Sequence, residues 1–440
     1  MKTITLFMTT VFFLGVNCFA QNESKFKSMR DNISKSDAAT QDPKKGINPK
    51  TWMDRGKLFQ DAYNINMQYM RFGMSPIEAK LYFKDPKQVF ASEEDGVAKE
   101  TYEYSQIKLN FENSALKSWE ELQTVVDDPL FQAVSAYQKA TSLDDKEKNA
   151  KKIKEAYRII NVDLENRFFN EIALLKYKEA YKTAMQRIDV SNLMGFSDTT
   201  YYFFAGYAAY SQSESDSSMW QLAVDNFEKA IALNYREIGE SKGMIYDLLF
   251  TAYTNVGKPE EALKVAQTGF ERHPNYERLM YNLINYYLKD GDNKNALEYL
   301  EHAVAKDPQN PNLLFAKGKV LDELGEREKS LAAYDAAIEA NPTFFDPYFN
   351  KAVVYYNSAI KILEEINEDI HMPQATYDRK KNESDEEFMK AIPLLEKALE
   401  INTNDTSTME TLRTLYYRLK SKYPELESKY DDMSQKLGKE

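Results

Sequence analysis

GKPEEALKVAQTGFERHP (257–274), GDNKNALEYLEHAVAKDP (291–308) and GEREKSLAAYDAAIEANP (325–342) begin 34 residues apart, each opening on Gly and closing on Pro. Five residues after each glycine stands a small residue (Ala262, Ala296, Ser330), and seven further on another (Gly269, Ala303, Ala337). Four residues before it stands Tyr253, Tyr287 or Leu321. A glycine can end a helix by taking a left-handed backbone conformation that costs other residues strain. A proline stops the next helix because it lacks an N–H and clashes with the preceding turn. Small residues let two helix axes approach. The period therefore describes a helix–turn–helix unit whose apolar stripe is buried only when a neighbouring unit stacks on it.

This pattern resembles the tetratricopeptide repeat family, with units at 243–276, 277–310 and 311–344. Tyr246, Met280 and Leu314 fill the early large slot, and Gly318 fills the small slot of the first helix. Phe250 and Ile284 depart from that small slot, so close packing there must be compensated. The resemblance implies an all-α fold, a right-handed superhelical solenoid of about six to eight helix hairpins.

Altered units extend on both sides. Residues 145–242 hold degenerate units: Phe168–Ile188 is a shortened one, and Tyr202 and Gly206 pair with Ala223, Phe227 and Ala230 across a lengthened loop. Residues 49–144 read as a first hairpin whose halves, Trp52/Gly56/Phe59 and Ala133/Tyr137/Ala140, are split by some 65 extra residues. The Met- and aromatic-rich start of that insert, Tyr63–Phe83, reads as a helix, either a lid or docking surface or a cap on the first unit. Residues 345–404 form a unit with about 27 extra residues, including the polar run Asp378–Glu387, and 405–440 read as C-terminal capping helices.

Lys2 followed by an apolar run from Ile4 to Phe19 and a small Ala20 describes a signal peptide over 1–20, cleaved before Gln21. The run is short for a membrane span, so no membrane insertion is expected after cleavage. Asn17 before Cys18 is the wrong residue for a lipid-attachment site, and export to the periplasm or beyond the cell is the expectation. Residues 21–48 read as a polar, mostly flexible lead-in, with a short helix near Lys25–Ile33.

Cys18 is the single cysteine, so the mature chain has no disulfide and its core must hold it. With 57 Lys and Arg against 69 Asp and Glu the net charge is −12, which argues against nucleic acid as ligand. The three histidines, His273, His302 and His371, have no partner at metal-ligand spacing. No phosphate-loop, dinucleotide or nucleophile-elbow motif occurs. Asp290–Asn293 has the beginning of a calcium loop, but Lys294 and Asn295 stand where a ligand and a glycine are needed. No cofactor, metal or catalytic residue is expected, and the chain reads as a non-enzyme.

The family's binding surface is the concave groove lined by first helices. The resemblance places Phe203, Tyr281, Phe315 and Phe349 there, with Tyr207, Asn285, Lys319 and Tyr356 beside them. Aromatics in a groove suit a protein or peptide partner. The Lys–Asn pair that a carboxylate clamp needs is missing from every unit. Two functions of different class follow: a protein- or peptide-binding scaffold of the cell envelope, or a surface glycan-binding protein using exposed aromatics.

Overall fold

Phe26, Met29, Ile33, Ser36 and Thr40 recur at spacings of three and four and form the less exposed stripe of helix α1 (Val16–Gln41). The expected flexible lead-in is thus helical over most of its length, and the Pro43–Gly46 punctuation falls only after the helix has ended. Phe26 is buried, and Arg55 of helix α2 (Pro49–Met67) pairs with Asp37 at 2.7 Å. A computed structural model describes residues 16–236, 242–369 and 371–438, with side chains from Glu23 onward. Most of the expected signal peptide lies outside the described residues. Two compact units are present, Met1–Ala262 and Leu263–Glu440.

The helical-hairpin fold is as expected, but in the first unit the 65-residue insert corrects the expectation of one helix over Tyr63–Phe83 and adds a small antiparallel sheet. Helix α2 runs to Met67, helix α3 covers only Pro76–Phe83, and four antiparallel strands follow in sequential order. These are β1 (Gln88–Glu94), β2 (Val97–Glu103), β3 (Ile107–Glu112) and β4 (Ala115–Glu121). Ile107, Leu109 and Phe111 alternate with Lys108, Asn110 and Glu112, which gives β3 one buried and one wetter face. Asp95–Gly96 and Asn113–Ser114 all have positive φ, as two-residue hairpin turns require. The buried face joins Phe59, Tyr63 and Met67 of α2 and Leu130 and Tyr137 of helix α4 (Pro129–Ser142) in one core. The insert is therefore an integral part of the first unit's core.

The N-terminal unit continues as antiparallel pairs: α5 (Ala150–Ala173) with α6 (Tyr177–Leu193), and α7 (Thr199–Gln212) with α8 (Met219–Ala232). Helix α9 (Met244–Asn255) packs on α8. The turn between α5 and α6 is the compressed one, with Leu175 at φ 57°. Helix α10 (Pro259–Arg272) carries the boundary between the units.

The second unit stacks α11 (Glu277–Asp290), α12 (Asn293–Lys306), α13 (Pro311–Glu323) and α14 (Arg327–Ala340). Then follow α15 (Phe345–Glu368), α16 (Gln374–Ile401), α17 (Thr406–Leu419) and α18 (Leu426–Leu437). Gly257, Gly291 and Gly325 have φ of 75, 76 and 75°, the left-handed conformation that the sequence asks for. Helices α10, α12 and α14 end two residues before Pro274, Pro308 and Pro342. The extra residues of 345–404 are not a loop. They lengthen α15 to 24 residues and α16 to 28, so the run Asp378–Glu387 lies on a helix.

One contact recurs wherever the small slot is glycine. A Cβ on Gly318 would meet the Tyr334 ring at 2.7 Å, on Gly206 the Phe227 ring at 2.6 Å, and on Gly56 the Tyr137 ring at 2.6 Å. The aromatic partner lies 16 residues after Gly318, 21 after Gly206 and 81 after Gly56. The same helix–helix lock therefore closes over a tight turn, a longer loop and the whole sheet-bearing insert.

Candidate functional site

Helices α15 and α17 of the second unit, with Leu395 of α16, enclose a pocket of about 440 Å³. Phe349, Ala352, Val353, Tyr356 and Asn357 come from consecutive turns of α15, which places them on one face. Glu410, Thr411 and Thr414 supply the facing wall from α17, whose start is fixed by Asp405 accepting from the Thr408 amide at 2.8 Å. The floor is apolar and the rim polar: Asn357, Glu410 and Thr414 are exposed, whereas Leu395 is fully buried. Such a pocket can take an apolar side chain and satisfy main-chain amides at its edge.

Phe349 and Tyr356 are the two sequence-selected residues that come together here. Their rings are also structural: Phe349 lies parallel to Phe345 at 5.7 Å, and Tyr356 meets Phe388 edge-on at 5.3 Å. Phe315 on α13 is half-buried between Tyr334 and Phe344, 5.9 and 5.4 Å away. Tyr281 on α11 packs against the α12–α13 core, and burial raises its hydroxyl pKa above the ordinary value. Asn285 and Lys319, one turn further along those helices, are exposed. Each of these rings thus stays half-buried with neighbours in its own unit.

In the first unit Phe203 is not a groove residue. It is 6 % exposed, stacks on Tyr235 at 4.8 Å and touches Phe227, the ring that locks Gly206. Tyr207, one turn later, is half-buried. Asn357, Glu410, Thr411 and Thr414 were not singled out from the sequence. Their signal is weak, since polar residues on helix faces are common and the α17 residues lie more than 50 positions from Asn357.

Models of the tetratricopeptide repeat match residues 248–311 and 287–353. Residues 248–353 therefore carry tetratricopeptide repeats. A search of curated proteins found no match. Among solved structures, MamA is 17 % identical over 48 % of this chain and 94 % of its own, with a TM-score of 0.34. MamA MSR-1 is 16 % identical over 47 % and 98 %, at 0.32. The C-terminal part of a repeat-containing protein from Cytophaga hutchinsonii is 13 % identical over 63 % and 92 %, at 0.39. Among the described residues no trio of His, Cys, Asp or Glu is spaced to hold a metal ion, and no helix is long and apolar enough to cross a membrane.

Proposed function

We propose that this chain, with its tetratricopeptide repeats, is a non-enzymatic scaffold of the cell envelope that binds a segment of another protein. The observation that carries the reading is the α15–α17 pocket, where an aromatic and aliphatic floor lies under exposed amide, hydroxyl and carboxylate groups. Repeats of this kind act by holding peptides or partner helices, and the pocket has the two elements this needs, buried apolar area and rim hydrogen bonding. The N-terminal run from Lys2 to Ala20 supports export.

The test is a crosslinking pull-down from native envelopes with the wild type and an Asn357→Ala/Thr411→Ala/Thr414→Ala variant. Those changes spare the buried rings, so the variant is expected to keep its helical circular dichroism. One stoichiometric partner that is captured by the wild type and lost by the variant is the expected result. Capture that survives the variant would move binding out of the pocket.

One observation favours the glycan reading. Tyr69 and Tyr82 are both nearly half exposed and stack in parallel, 4.4 Å apart and 3° from coplanar, leaving flat outer faces. A melting shift with oligosaccharide that Tyr82→Ala abolishes would support that reading in place of the scaffold.

A further inference from the structure

The four-stranded sheet of the first unit ends differently on its two sides. At the β4 edge the outward main-chain groups are in use. Leu116 accepts from the Gly73 amide and donates to the Met74 carbonyl, both at 2.9 Å, and Asn170 takes both main-chain groups of Trp119, at 2.8 and 2.9 Å. The β1 edge is bare. Asp95–Gly96 is a two-residue turn, so Glu94 and Val97 exchange both hydrogen bonds, and alternation gives the N–H and C=O of Glu94, Ser92 and Phe90 to β2. Those of Glu93, Ala91 and Val89 point away from the sheet, and among the described residues nothing meets them. Phe90 to Glu94 are all exposed.

An open edge is a template for another strand, and β1 lacks devices that commonly blunt one. From Gln88 to Glu94 it has no lysine, no proline and an unbroken register with β2. Its own chemistry specifies which strand fits. The outward residues Val89, Ala91 and Glu93 are spaced evenly about Ala91. A two-fold axis there sets Ala91 against Ala91 of a second copy and Val89 against Glu93, so that every outward N–H meets an outward C=O.

Charge follows the same symmetry. Lys84 and Lys87 outnumber Asp85 just before the strand, Glu93, Glu94 and Asp95 close it, and Gln88–Ser92 between them is uncharged. Antiparallel pairing lays the basic end of each copy on the acidic end of the other, whereas a parallel pair would align like charges. Glu94 is held by Lys99 at 2.5 Å, which leaves Glu93 and Asp95 for the second copy's lysines. We propose that β1 is a dimerisation edge, where two copies of the chain pair antiparallel about Ala91 and join their two sheets into one. The contact is small for a stable dimer, so the pairing is weak and reversible.

Sedimentation equilibrium of the full chain from about 1 μM to about 1 mM spans the affinities of such contacts. Monomer at the low end and dimer at the high end is the expected result. In a Cys18→Ser background, Ala91→Cys chains should oxidise to a covalent dimer, because Ala91 faces itself at a Cα separation of about 5.5 Å, within disulfide reach. Phe90→Cys and Ser92→Cys chains should crosslink when mixed and not when separate, since each faces the other. Ala91→Pro removes an outward N–H that the β1–β2 ladder does not use, and should leave a folded monomer. Glu93→Lys should weaken pairing about tenfold, and Lys87→Glu/Glu93→Lys should restore it. A chain monomeric over the whole range would overturn the proposal and leave β1 open to a strand of a different protein. So would separate Phe90→Cys chains that crosslink as readily as Ala91→Cys chains, or a dimer that survives both Ala91→Pro and Glu93→Lys.

Discussion

At the scale of single residues, the glycine–aromatic locks show how one position sets the distance between two helices. Where the first helix has Gly318, the second has Tyr334, whereas Ile284 is followed at the same spacing by Leu300 and Phe250 by Ala266. Small against large and medium against medium conserve volume, which is the compensation that the departures from the family slot demand. Gly318→Ala should therefore lower stability by about 1–3 kcal/mol, because the Tyr334 ring must move. Urea denaturation should show much of that loss recovered in Gly318→Ala/Tyr334→Leu. Asp163 gives a pH-dependent counterpart. Burial pushes its carboxyl from 3.8 up to about 6, and its Oδ2 has no partner. The folded chain thus holds this proton more tightly than the unfolded one, so the contribution favours folding at low pH and is lost as pH rises through 6. Asp163→Asn should raise stability at pH 8 by about 1–3 kcal/mol and leave it unchanged at pH 4. Equal melting shifts at the two pH values would contradict this.

Single elements account for the parts of the fold that repeat reasoning overlooked. The Asp95–Gly96 turn, flanked by short alternating runs, is a legible hairpin signal, yet it lies inside what the repeat frame marks as an insert. The expected helix over Tyr63–Phe83 is interrupted by Gly73, at φ 78°, and by Ser75–Pro76, where a capping box starts a new helix. The sheet's attachment to α5 could not be read at all. Asn170 accepts from the Trp119 amide at 2.8 Å and donates to the Trp119 carbonyl at 2.9 Å, so one side chain continues the ladder beyond β4. Asn170→Ala would leave both main-chain groups buried and unpaired. It should cost about 2–4 kcal/mol. Hydrogen exchange should become faster at the Trp119 amide while the α13–α14 amides keep wild-type protection.

For the whole molecule, stability is a chain of neighbour contacts, so the ends matter more than in a globular domain. Leu426 and Met433 of α18 cover Leu412, Leu415 and Leu419 of α17. Ending the chain after Lys422 should expose that apolar face, lower the melting temperature and induce association, read by light scattering. An unchanged monomer would show that α17 suffices as the cap. The sequence by itself determined the helical repeats, their turns and stops, and the 65-residue interruption of the first unit, because these rest on local backbone rules that recur with a fixed period. Only the tertiary structure decided that the interruption is a sheet sharing the first core, and that Phe203 and Phe315 are packed by other rings. It also decided that the α15–α17 pocket is lined by residues up to 65 positions apart. The physical reason is that a pattern along one helix fixes which residues share a face. What that face meets depends on chain segments whose approach no local rule encodes.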